Sequence, residues 1–202
     1  MSTNPQESKK LETKILTIFK KYINSNDTVI AGISGGPDST FLLNLLSKIP
    51  CKTVVAHINH QLRKESDSEE NFVKNMTEKL NRTATISTTT ASSTPPPTTL
   101  KFFSQKSNIS SLSKKLKQGI EETAREIRYD FFKKLAKKHH AKYIITAHQA
   151  DDNLETIILN FTRGASLQGL IGMEEIQLLE KSLFLFRPLL QLSKKQITDY
   201  LK

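Results

Sequence analysis

The 202-residue sequence predicts an α/β fold, a doubly wound and mainly parallel sheet of five strands with helices on both faces. Two observations indicate this class. Short apolar runs rich in β-branched residues suit strands that are buried on both faces, and they alternate with segments whose apolar residues recur at helical spacing. Such alternation is typical of right-handed β-α-β units, whose ligands lie at the carboxyl ends of the strands.

The strand predictions rest on those apolar runs. TVIAGIS at 28–34 and KTVVAHI at 52–58 are almost continuous in apolar character. YIITA at 143–147 and LFLFRPL at 183–189 have the same character, and ATIST at 84–88 is a weaker candidate. Together these five runs give the strands of the predicted sheet.

The helix predictions rest on apolar residues three and four positions apart. Residues 11–23 form an amphipathic pattern, and 120–138 is the clearest case, with apolar positions at Ile120, Ala124, Ile127, Phe131 and Leu135. Residues 66–80 are charged and begin with serine and aspartate, which suit a helix N-cap. Further helices are predicted over 41–46, 151–161 and 193–201.

One stretch breaks the regular pattern. Residues 83–118 are rich in Ser, Thr and Pro, with three prolines at 95–97 and no acidic residue. This composition predicts a flexible insertion within a single domain over 1–202. Seven Lys and Arg residues lie between 79 and 119 without one Asp or Glu, so the insertion is also strongly basic.

Composition narrows the class of partner. The 30 Lys and Arg residues outnumber 20 Asp and Glu, which gives a formal net charge of +10 and indicates a polyanionic partner. No apolar run is long enough to cross a bilayer and no signal-peptide pattern opens the chain, so a membrane partner is not expected. The single cysteine, Cys51, excludes an internal disulfide framework and a CxxC pair, and it suits a reducing interior.

The string SGGPDS, residues 34–39, separates the first predicted strand from its helix. Two glycines allow a tight turn, and the amides of the turn and of the helix N-terminus then face an anion, with Ser34 and Ser39 as hydroxyl donors. Asp38 would repel a phosphate unless a cation bridged them, so it indicates Mg²⁺ or, alternatively, a helix N-cap. The string lacks the Gly-Lys-Ser/Thr ending of a Walker A loop.

Two further segments carry cationic side chains. HINHQLR, residues 57–63, follows the second predicted strand and is either part of a nucleotide site or an ordinary polar strand end. Arg125 and Arg128 are three residues apart and share a helix face. They either clamp phosphates or form surface pairs with neighbouring glutamates.

The last segment, HQADDNLET at 148–156, follows the fourth predicted strand. His148 precedes the helix, while Asp152 and Glu155 lie on one of its faces. Carboxylates and imidazole gathered at the mouth of a sheet bind a cation or transfer protons. The alternative is that Asp151 and Asp152 only cap the helix.

SGGPDS resembles the PP-loop of the N-type ATP pyrophosphatases, which split ATP into AMP and pyrophosphate. The succession SGGPDS, HINHQLR, EETAREIRY, AHQADDNLET and FRPLLQLSKKQI, over about residues 14–201, is similar to the tRNA(Ile)-lysidine synthetase family. That resemblance implies an ATP-dependent ligase. It adenylylates carbon 2 of the wobble cytidine in the CAU anticodon of tRNA(Ile), and free lysine then displaces AMP, which changes codon reading from AUG to AUA.

The resemblance also implies roles for individual residues, with ATP and Mg²⁺ as cofactors. The implied catalytic residues are Asp38, Arg125, His148, Asp152 and Glu155. The implied ATP-binding residues are Ser34, Gly35, Gly36, Pro37, Asp38, Ser39 and His57. The implied substrate- and tRNA-binding residues are His60, Arg63, Arg128 and Arg187. The implied Mg²⁺ ligands, direct or through water, are Asp38 and Asp152.

The implied partners are tRNA(Ile) with a CAU anticodon and free L-lysine, without a membrane, and a homodimer is compatible with the sequence. The implied compartment is a bacterial cytoplasm or a plastid stroma, and the basic insertion is a candidate tRNA-contacting arm. Two alternatives stay open: a tRNA thiolase of the same superfamily, and a non-catalytic RNA-binding protein on the same scaffold.

Overall fold

The computed structural model of the chain describes residues 5–87, 99–164 and 171–201. In these ranges no helix is both long enough and apolar enough to cross a membrane. The strands are β1 (Thr28–Gly32), β2 (Lys52–Asn59), β3 (Thr99–Lys106), β4 (Tyr143–Thr146), β5 (Ile176–Glu180) and β6 (Leu183–Phe186). The helices are α1 (Pro5–Tyr22), α2 (Pro37–Leu46), α3 (Ser66–Ser87), α4 (Ile109–Leu116), α5 (Ile120–His139), α6 (Ala150–Thr162) and α7 (Lys194–Leu201).

The strands form one sheet in the order β3-β2-β1-β4-β6-β5. Every neighbouring pair is parallel except β5 and β6, which are antiparallel. The chain builds outward from β1 through β2 to β3 and then crosses back to place β4 on the other side of β1. The topological switch point therefore lies between β1 and β4, where an open α/β sheet holds its ligands.

Helices cover both faces of the sheet, which confirms the doubly wound class. On one face, side chains of α1, α2, α3 and α7 pack with alternate strand residues such as Val29, Ala31 and Ile145. On the other face, α5 packs through Phe131 and Phe132 against the intervening strand residues. Because successive strand residues point to opposite faces, the strands of the centre read as continuous apolar runs.

The predicted sheet contained one wrong strand and lacked two of the six that are observed. Residues 84–87 of the weak candidate 84–88 belong to α3, and residue 88 lies outside the described residues. The strand that pairs with β2 is β3, from the stretch expected to be a flexible insertion, and α4 follows it there. β3 escaped prediction because it is an edge strand: Leu100 is its only buried residue, so it lacks an apolar run.

β5 escaped prediction for the same physical reason. It is the opposite edge strand, its five residues include none that are buried, and it pairs only with β6. The predicted strand over 183–189 is confirmed as β6, but it ends at Phe186. The prolines at 95–97 and the rest of 88–98 lie outside the described residues, so the insertion prediction is corrected only for 83–87, which belong to α3, and for 99–116.

Candidate functional site

A pocket of about 500 Å³ opens at the carboxyl ends of β1, β2 and β4, at the switch point. Four of the segments singled out in the sequence meet there. Among the predicted site residues, the lining includes Ser34, Gly36, Pro37, Asp38, Ser39, His60, Arg63, Arg128, His148 and Asp152. The convergence follows from topology, since the carboxyl ends of parallel strands share one edge of the sheet.

The loop after β1 is held in shape by its own hydroxyl groups. Gly35 has φ +94°, a left-handed conformation that glycine adopts without strain. The Ser39 hydroxyl accepts from the Gly35 amide at 3.1 Å, donates to the Gly36 carbonyl at 2.9 Å and lies 3.1 Å from the Ser34 hydroxyl. The loop therefore reaches α2 as a pre-formed cradle, and Ser39 belongs to its internal scaffold.

The first turn of α2 has the features of an anion site. Gly36 is the N-cap and makes no side-chain capping hydrogen bond, and Pro37 at the first helical position has no amide hydrogen to satisfy. The amides of this turn therefore depend on a ligand or water, at the positive end of the helix dipole. The capping alternative for Asp38 was wrong, because Gly36 occupies that position.

Asp38 lines the pocket with an unsatisfied oxygen. Its Oδ1 is buried and has no hydrogen-bond partner among the described residues. Burial raises the pKa of Asp38, and the carboxylates of Asp152 and Asp151 raise it further, while Lys194 opposes them. A buried acceptor beside a second carboxylate is costly unless something positive joins them.

The start of α6 is a capped helix end that also supplies the second carboxylate. Asp152 Oδ2 accepts from the Gln149 amide at 3.0 Å, and the Gln149 side chain accepts from the Asp151 amide at 2.7 Å. Asp151 Oδ2 accepts from the Lys194 amide at 2.7 Å, which joins α6 to the start of α7. The capping alternative was thus right for one oxygen of Asp152, yet Asp152 also lines the pocket.

His148 stands between these carboxylates and a group of arginines. Its Nδ1 lies 2.8 Å from the hydroxyl of Thr146, the last residue of β4. Burial and the Arg187 guanidinium lower the pKa of His148 to about 4, with smaller contributions from Arg125 and Arg128 and opposition from Asp152. The imidazole is therefore neutral at physiological pH and offers a hydrogen bond rather than a charge.

His60 is a second neutral imidazole on the β2 side of the pocket. Burial and Arg128 lower its pKa to about 4. Arg128 Nη2 lies 3.5 Å from His60 Nε2, and a guanidinium can only donate, so the proton of His60 belongs on Nδ1. That Nδ1 is buried without a hydrogen-bond partner among the described residues, so it is a donor that a ligand or a water molecule would satisfy.

His57, which we expected at the nucleotide, lies on the other side of the strand. It is 2% exposed, does not belong to the pocket lining, and its Nδ1 donates to the Ile33 carbonyl at 2.9 Å. The reason is the two-residue period of a strand, which turns Ala56 and Ile58 toward the pocket and His57 away. His57 therefore supports the backbone just before the loop of residues 34–39 from beneath.

Arg63 and Asn59 show how the loop after β2 is held. Arg63 Nη2 lies 3.2 Å from Glu69 Oε1, and both side chains line the pocket. Buried Asn59 donates to Asp67 at 2.7 Å and to Glu70 at 2.9 Å, while its Oδ1 accepts from the Gln61 amide at 3.1 Å. This network fixes the turn that presents His60 and Arg63.

Three predicted residues, Arg125, Glu155 and Arg187, are near the site but are not among its lining residues. The exposed Arg125 guanidinium stacks over the Tyr129 ring, 5.2 Å from its centroid. Arg187 is 4% exposed and donates to the Glu174 carbonyl at 2.8 Å and to Gln177 at 3.0 Å.

Glu155 is exposed on the second turn of α6. Gly35, like His57, is outside the lining, and it shapes the loop instead of facing the pocket. The predicted segments therefore meet at one cavity, and ten of the fifteen predicted residues line it.

Sequence reasoning also missed several lining residues, chiefly Tyr129, Phe132 and Thr146. Tyr129 is one helical turn beyond Arg125, and Phe132 is one turn beyond Arg128, so helical spacing from the two arginines was the available signal. Phe132 also packs against the end of β1: a Cβ built on Gly32 would lie 2.6 Å from its ring. That close approach is why β1 ends in glycine.

A family model described as a PP-loop domain matches residues 7–202. The chain belongs to the PP-loop domain family. The chain is similar to the tRNA(Ile)-lysidine synthase of Clostridium tetani, with 35% identity over 92% of this chain and 37% of that protein. It is also similar to that of Chlorobaculum tepidum, with 34% identity over 91% of this chain and 50% of that protein. The chain thus spans half or less of these relatives' length.

The fold has a solved counterpart. The U34-tRNA thiolase NcsA from Methanococcus maripaludis with its [4Fe-4S] cluster superposes with a TM-score of 0.68 at 14% identity, over 95% of this chain and 62% of that one. At this identity the likeness shows the PP-loop fold alone. Enzymes of the PP-loop ATP pyrophosphatase family use ATP and Mg²⁺.

The pocket of this PP-loop domain fits Mg²⁺ by the chemistry of its donors. Asp38 Oδ1 is an orphaned buried oxygen, and the Asp152 carboxylate raises its pKa, so a cation would relieve both. Within the described residues, no group of three or more His, Cys, Asp or Glu side chains forms a protein cage for a metal. Mg²⁺ sites typically consist of one or two carboxylates, with water and substrate phosphate as the remaining ligands.

Proposed function

We propose that the chain carries the catalytic site of a tRNA(Ile)-lysidine synthase. Such an enzyme ligates free lysine to carbon 2 of the wobble cytidine in the CAU anticodon and uses ATP, which becomes AMP and pyrophosphate. The observation that carries the proposal is the convergence of the four polar segments on one pocket at the switch point. The similarity over about nine tenths of the chain to proteins named for this activity agrees with it.

In the first half-reaction, the loop of residues 34–39, which we call the phosphate loop, binds the pyrophosphate end of ATP. Its amides and the α2 N-terminus face the anion, and Arg63 and Arg128 add positive charge from the other walls. The cytidine O2 attacks the α-phosphorus of ATP, the bond from that phosphorus to the bridging oxygen breaks, and pyrophosphate leaves. Asp38 and Asp152 would hold Mg²⁺, which neutralises charge on the departing pyrophosphate when it is bound.

In the second half-reaction, an amino group of lysine attacks carbon 2 and AMP leaves. The attacking amine must be neutral, so a carboxylate has to hold the ammonium group and accept its proton. We assign those roles to Asp152, which lines the pocket, and to Glu155, which lies one turn further along α6. Neutral His148 supplies a hydrogen bond to the activated base or to the α-phosphate, since its pKa of about 4 keeps it uncharged.

Thiolation of a tRNA base, the alternative from the same superfamily, is disfavoured by the position of Cys51. The sulfur is buried, and burial raises the pKa of its thiol. Cys51 also immediately precedes β2, whereas the β2 residues that line the pocket, Ala56 and Ile58, are about 17 and 23 Å further along the strand at about 3.3 Å per residue. The chain's single cysteine is therefore neither activated nor close to the base.

We also propose a homodimer and a bacterial cytoplasmic setting. Exposed apolar side chains on α6, among them Leu154, Ile158 and Phe161, form a surface that a second copy could cover. The curated relatives named above are bacterial, and nothing in the comparisons supports a plastid.

The proposal is tested by ATP-dependent incorporation of labelled lysine into a CAU-anticodon tRNA(Ile) transcript. We expect incorporation with wild-type protein, and none with a transcript whose wobble cytidine is replaced by uridine. Uridine also has an oxygen on carbon 2, but it lacks the 4-amino group and the unprotonated N3 that make the cytidine oxygen nucleophilic. ATP–pyrophosphate exchange is measured in parallel to monitor the first half-reaction.

The results of these two assays distinguish the ligase proposal from its alternatives. Exchange without lysine transfer would point to another acceptor in the same family and contradict the ligase proposal. Tight tRNA binding without either exchange or lysine transfer would favour the RNA-binding alternative.

A further inference from the structure

The structure divides the basic segment 99–119 into two parts with different surroundings. Lys101 and Lys106 belong to β3, the edge strand, where lysines discourage pairing with another sheet. Lys106 lies 2.8 Å from Asp67 and 3.7 Å from Glu70, so its charge is already compensated. The positive charge of β3 thus has a structural explanation. The lysines of α4 do not share that explanation.

Those lysines are Lys114 and Lys115 in the last turn of α4 and Lys117, its left-handed C-cap. All three are exposed. In the part of the chain that the structure describes, each recorded ion pair involves other residues, and 99–119 itself contains no Asp or Glu. Three adjacent ammonium groups without carboxylates raise the local positive potential, which suits an anionic partner.

α4 is joined to the wall of the proposed catalytic pocket and contributes no residue to the lining itself, and we call its position the rim of the pocket. Its first amide, that of Ile109, donates to the carbonyl of His60 at 3.3 Å, and His60 lines the pocket. At its other end, Gln118 donates to Glu126 of α5 at 3.3 Å. The following α5 carries Arg128 to the pocket, so both ends of α4 are joined to elements that form the pocket wall.

The two sides of α4 differ in character. Ile109 and Ser113 are buried, while the opposite side consists of hydroxyl and ammonium donors. We name this side the α4 basic face, and its members are Ser110, Ser111, Lys114, Lys115 and Lys117.

We propose that the α4 basic face binds the phosphate backbone of the tRNA next to the anticodon base that enters the pocket. This inference rests on the proposed function, which brings a nucleotide of a folded RNA to the same rim. Lysine is a compact point charge on a flexible stem, and it suits phosphate oxygens better than the edges of particular bases. The face should therefore contribute affinity without contributing sequence preference.

The lysines at the end of α4 also interact favourably with the helix dipole, and this alone would explain their presence without any RNA contact. The two readings differ in what they predict. A dipole role affects thermal stability and leaves the salt dependence of RNA binding unchanged. If the lysines contact phosphates, removing them reduces that salt dependence, because fewer counterions leave the RNA when the variant binds.

The test compares two triple variants that remove equal charge from the full chain. The first is Lys114→Ala, Lys115→Ala, Lys117→Ala. The control is Lys9→Ala, Lys10→Ala, Lys14→Ala, because these exposed lysines lie on α1, which contributes no residue to the described pocket lining. Binding of CAU-anticodon tRNA(Ile) and of an unrelated tRNA is measured at several salt concentrations, together with ATP binding and thermal stability.

We expect the α4 variant to bind both tRNAs roughly ten-fold or more weakly at about 0.1 M salt, and the slope of log K against log salt to fall by about 2. ATP binding should stay unchanged, and the α1 control should stay within about two-fold of wild type.

Wild-type affinity and slope in the α4 variant, or an equal loss in the α1 control, would overturn the inference. A loss confined to one of the two tRNAs would also contradict it, since backbone contacts do not read sequence. Lysine incorporation by the wild-type protein is scored separately, so failure of the proposed function is distinguishable from failure of the α4 basic face.

Discussion

Helices α2 and α6 occupy equivalent places and differ in almost every other respect. α2 follows β1 and α6 follows β4, the two strands that flank the switch point. Six of the ten residues of α2 are buried, including Phe41, Leu42 and Leu43. None of the thirteen residues of α6 is buried, and Phe161 is 70% exposed.

The difference assigns separate tasks to the two sides of the pocket. The phosphate loop is attached to a helix fixed in the core, so its amides are held in place before any ligand arrives, which is what electrostatic preorganisation requires. α6 is fixed mainly at its start, by the Ala150 amide bonded to the Leu192 carbonyl at 2.8 Å and by Asp151 bonded to the Lys194 amide. Its later turns carry exposed apolar side chains, among them Ile158 and Phe161.

The largest effect should come from exchanging the carboxylates on the two sides for amides. Asp38→Asn, on the α2 side, should lower lysine incorporation by about 10²-fold or more because it removes the charge that balances the cation at the pyrophosphate. Glu155→Gln, on the α6 side, should mainly raise the KM for lysine. Labelled-lysine incorporation at varied ATP and varied lysine concentrations measures both.

Thermal stability provides the control for Asp38→Asn. Burial raises the pKa of Asp38, so the folded chain holds that proton more tightly than the unfolded chain, and the ionised carboxylate disfavours folding at neutral pH. Asp38→Asn should therefore melt no earlier than wild type. Full activity in this variant, or a marked loss of stability, would contradict the role of Asp38.

Core truncations should differ between the two helices. Leu43→Ala leaves a cavity beneath α2 and should lower the free energy of unfolding by about 2 to 5 kcal/mol. Ile158→Ala removes a side chain that is 52% exposed, and its cost should be within about 0.5 kcal/mol in dilute protein. Urea denaturation measures both.

Repeating these stability measurements at several protein concentrations tests whether a second copy covers α6. If a second copy covers α6, the stability cost of Ile158→Ala should grow with concentration, and sedimentation should show weaker association. An Ile158→Ala cost as large as that of Leu43→Ala in dilute solution would show that α6 is not the loosely packed element described above.

The fold was predictable from the sequence wherever a strand is buried on both faces. β1 and β4 are apolar runs for that reason. β3 and β5 were missed because an edge strand has one partner and little burial, so its composition does not distinguish it from a loop. The Ser/Thr/Pro composition around β3 reinforced the wrong interpretation.

The site was predictable to the level of segments. Topology alone brings the residues after β1, β2 and β4 to one edge, so SGGPDS and the His148 segment could be joined without coordinates. The side-chain direction was not predictable, as His57 shows by pointing beneath the loop. Thr146 and Tyr129 were missed because neither residue type signals a function until a histidine or an arginine is found against it.

The two neutral histidines should give the pocket a pH-dependent stability. The pKa of His148 is about 4 in the folded chain and about 6.5 when unfolded, so the unfolded state binds more protons between these values. Stability should therefore be complete above about pH 6.5 and fall as the pH drops toward 4, by roughly 1 to 3 kcal/mol for this group.

The control is His148→Gln, which should flatten the curve between pH 6.5 and 4, while wild-type protein retains its slope. His60→Gln should flatten this curve less than His148→Gln does, because His60 is less buried, although its pKa is also about 4. Denaturant melts at stepped pH values measure this. Identical slopes in all three proteins would show that neither imidazole is held neutral by the fold.

The last comparison concerns two adjacent glycines in the phosphate loop, and it separates the shape of the loop from its surface. Gly35 has φ +94°, so Gly35→Ala should cost about 1 to 2 kcal/mol of stability through backbone strain alone. Gly36 has an ordinary φ of −72°, and a Cβ there would meet only Ser34 Oγ at 3.6 Å. Gly36→Ala should therefore melt like wild type.

Ligand affinity should reverse that order. Gly36 lines the pocket, so a methyl group at that position occupies the space into which the phosphates fit, and ATP should bind more weakly than to wild type although the fold is intact. Gly35 does not line the pocket, and its substitution should affect ATP in proportion to the loss of loop shape. Melting temperature and ATP affinity of the two variants provide the comparison. A parallel loss of both properties in Gly36→Ala would mean that α2 and its loop are less rigid than α2's burial implies.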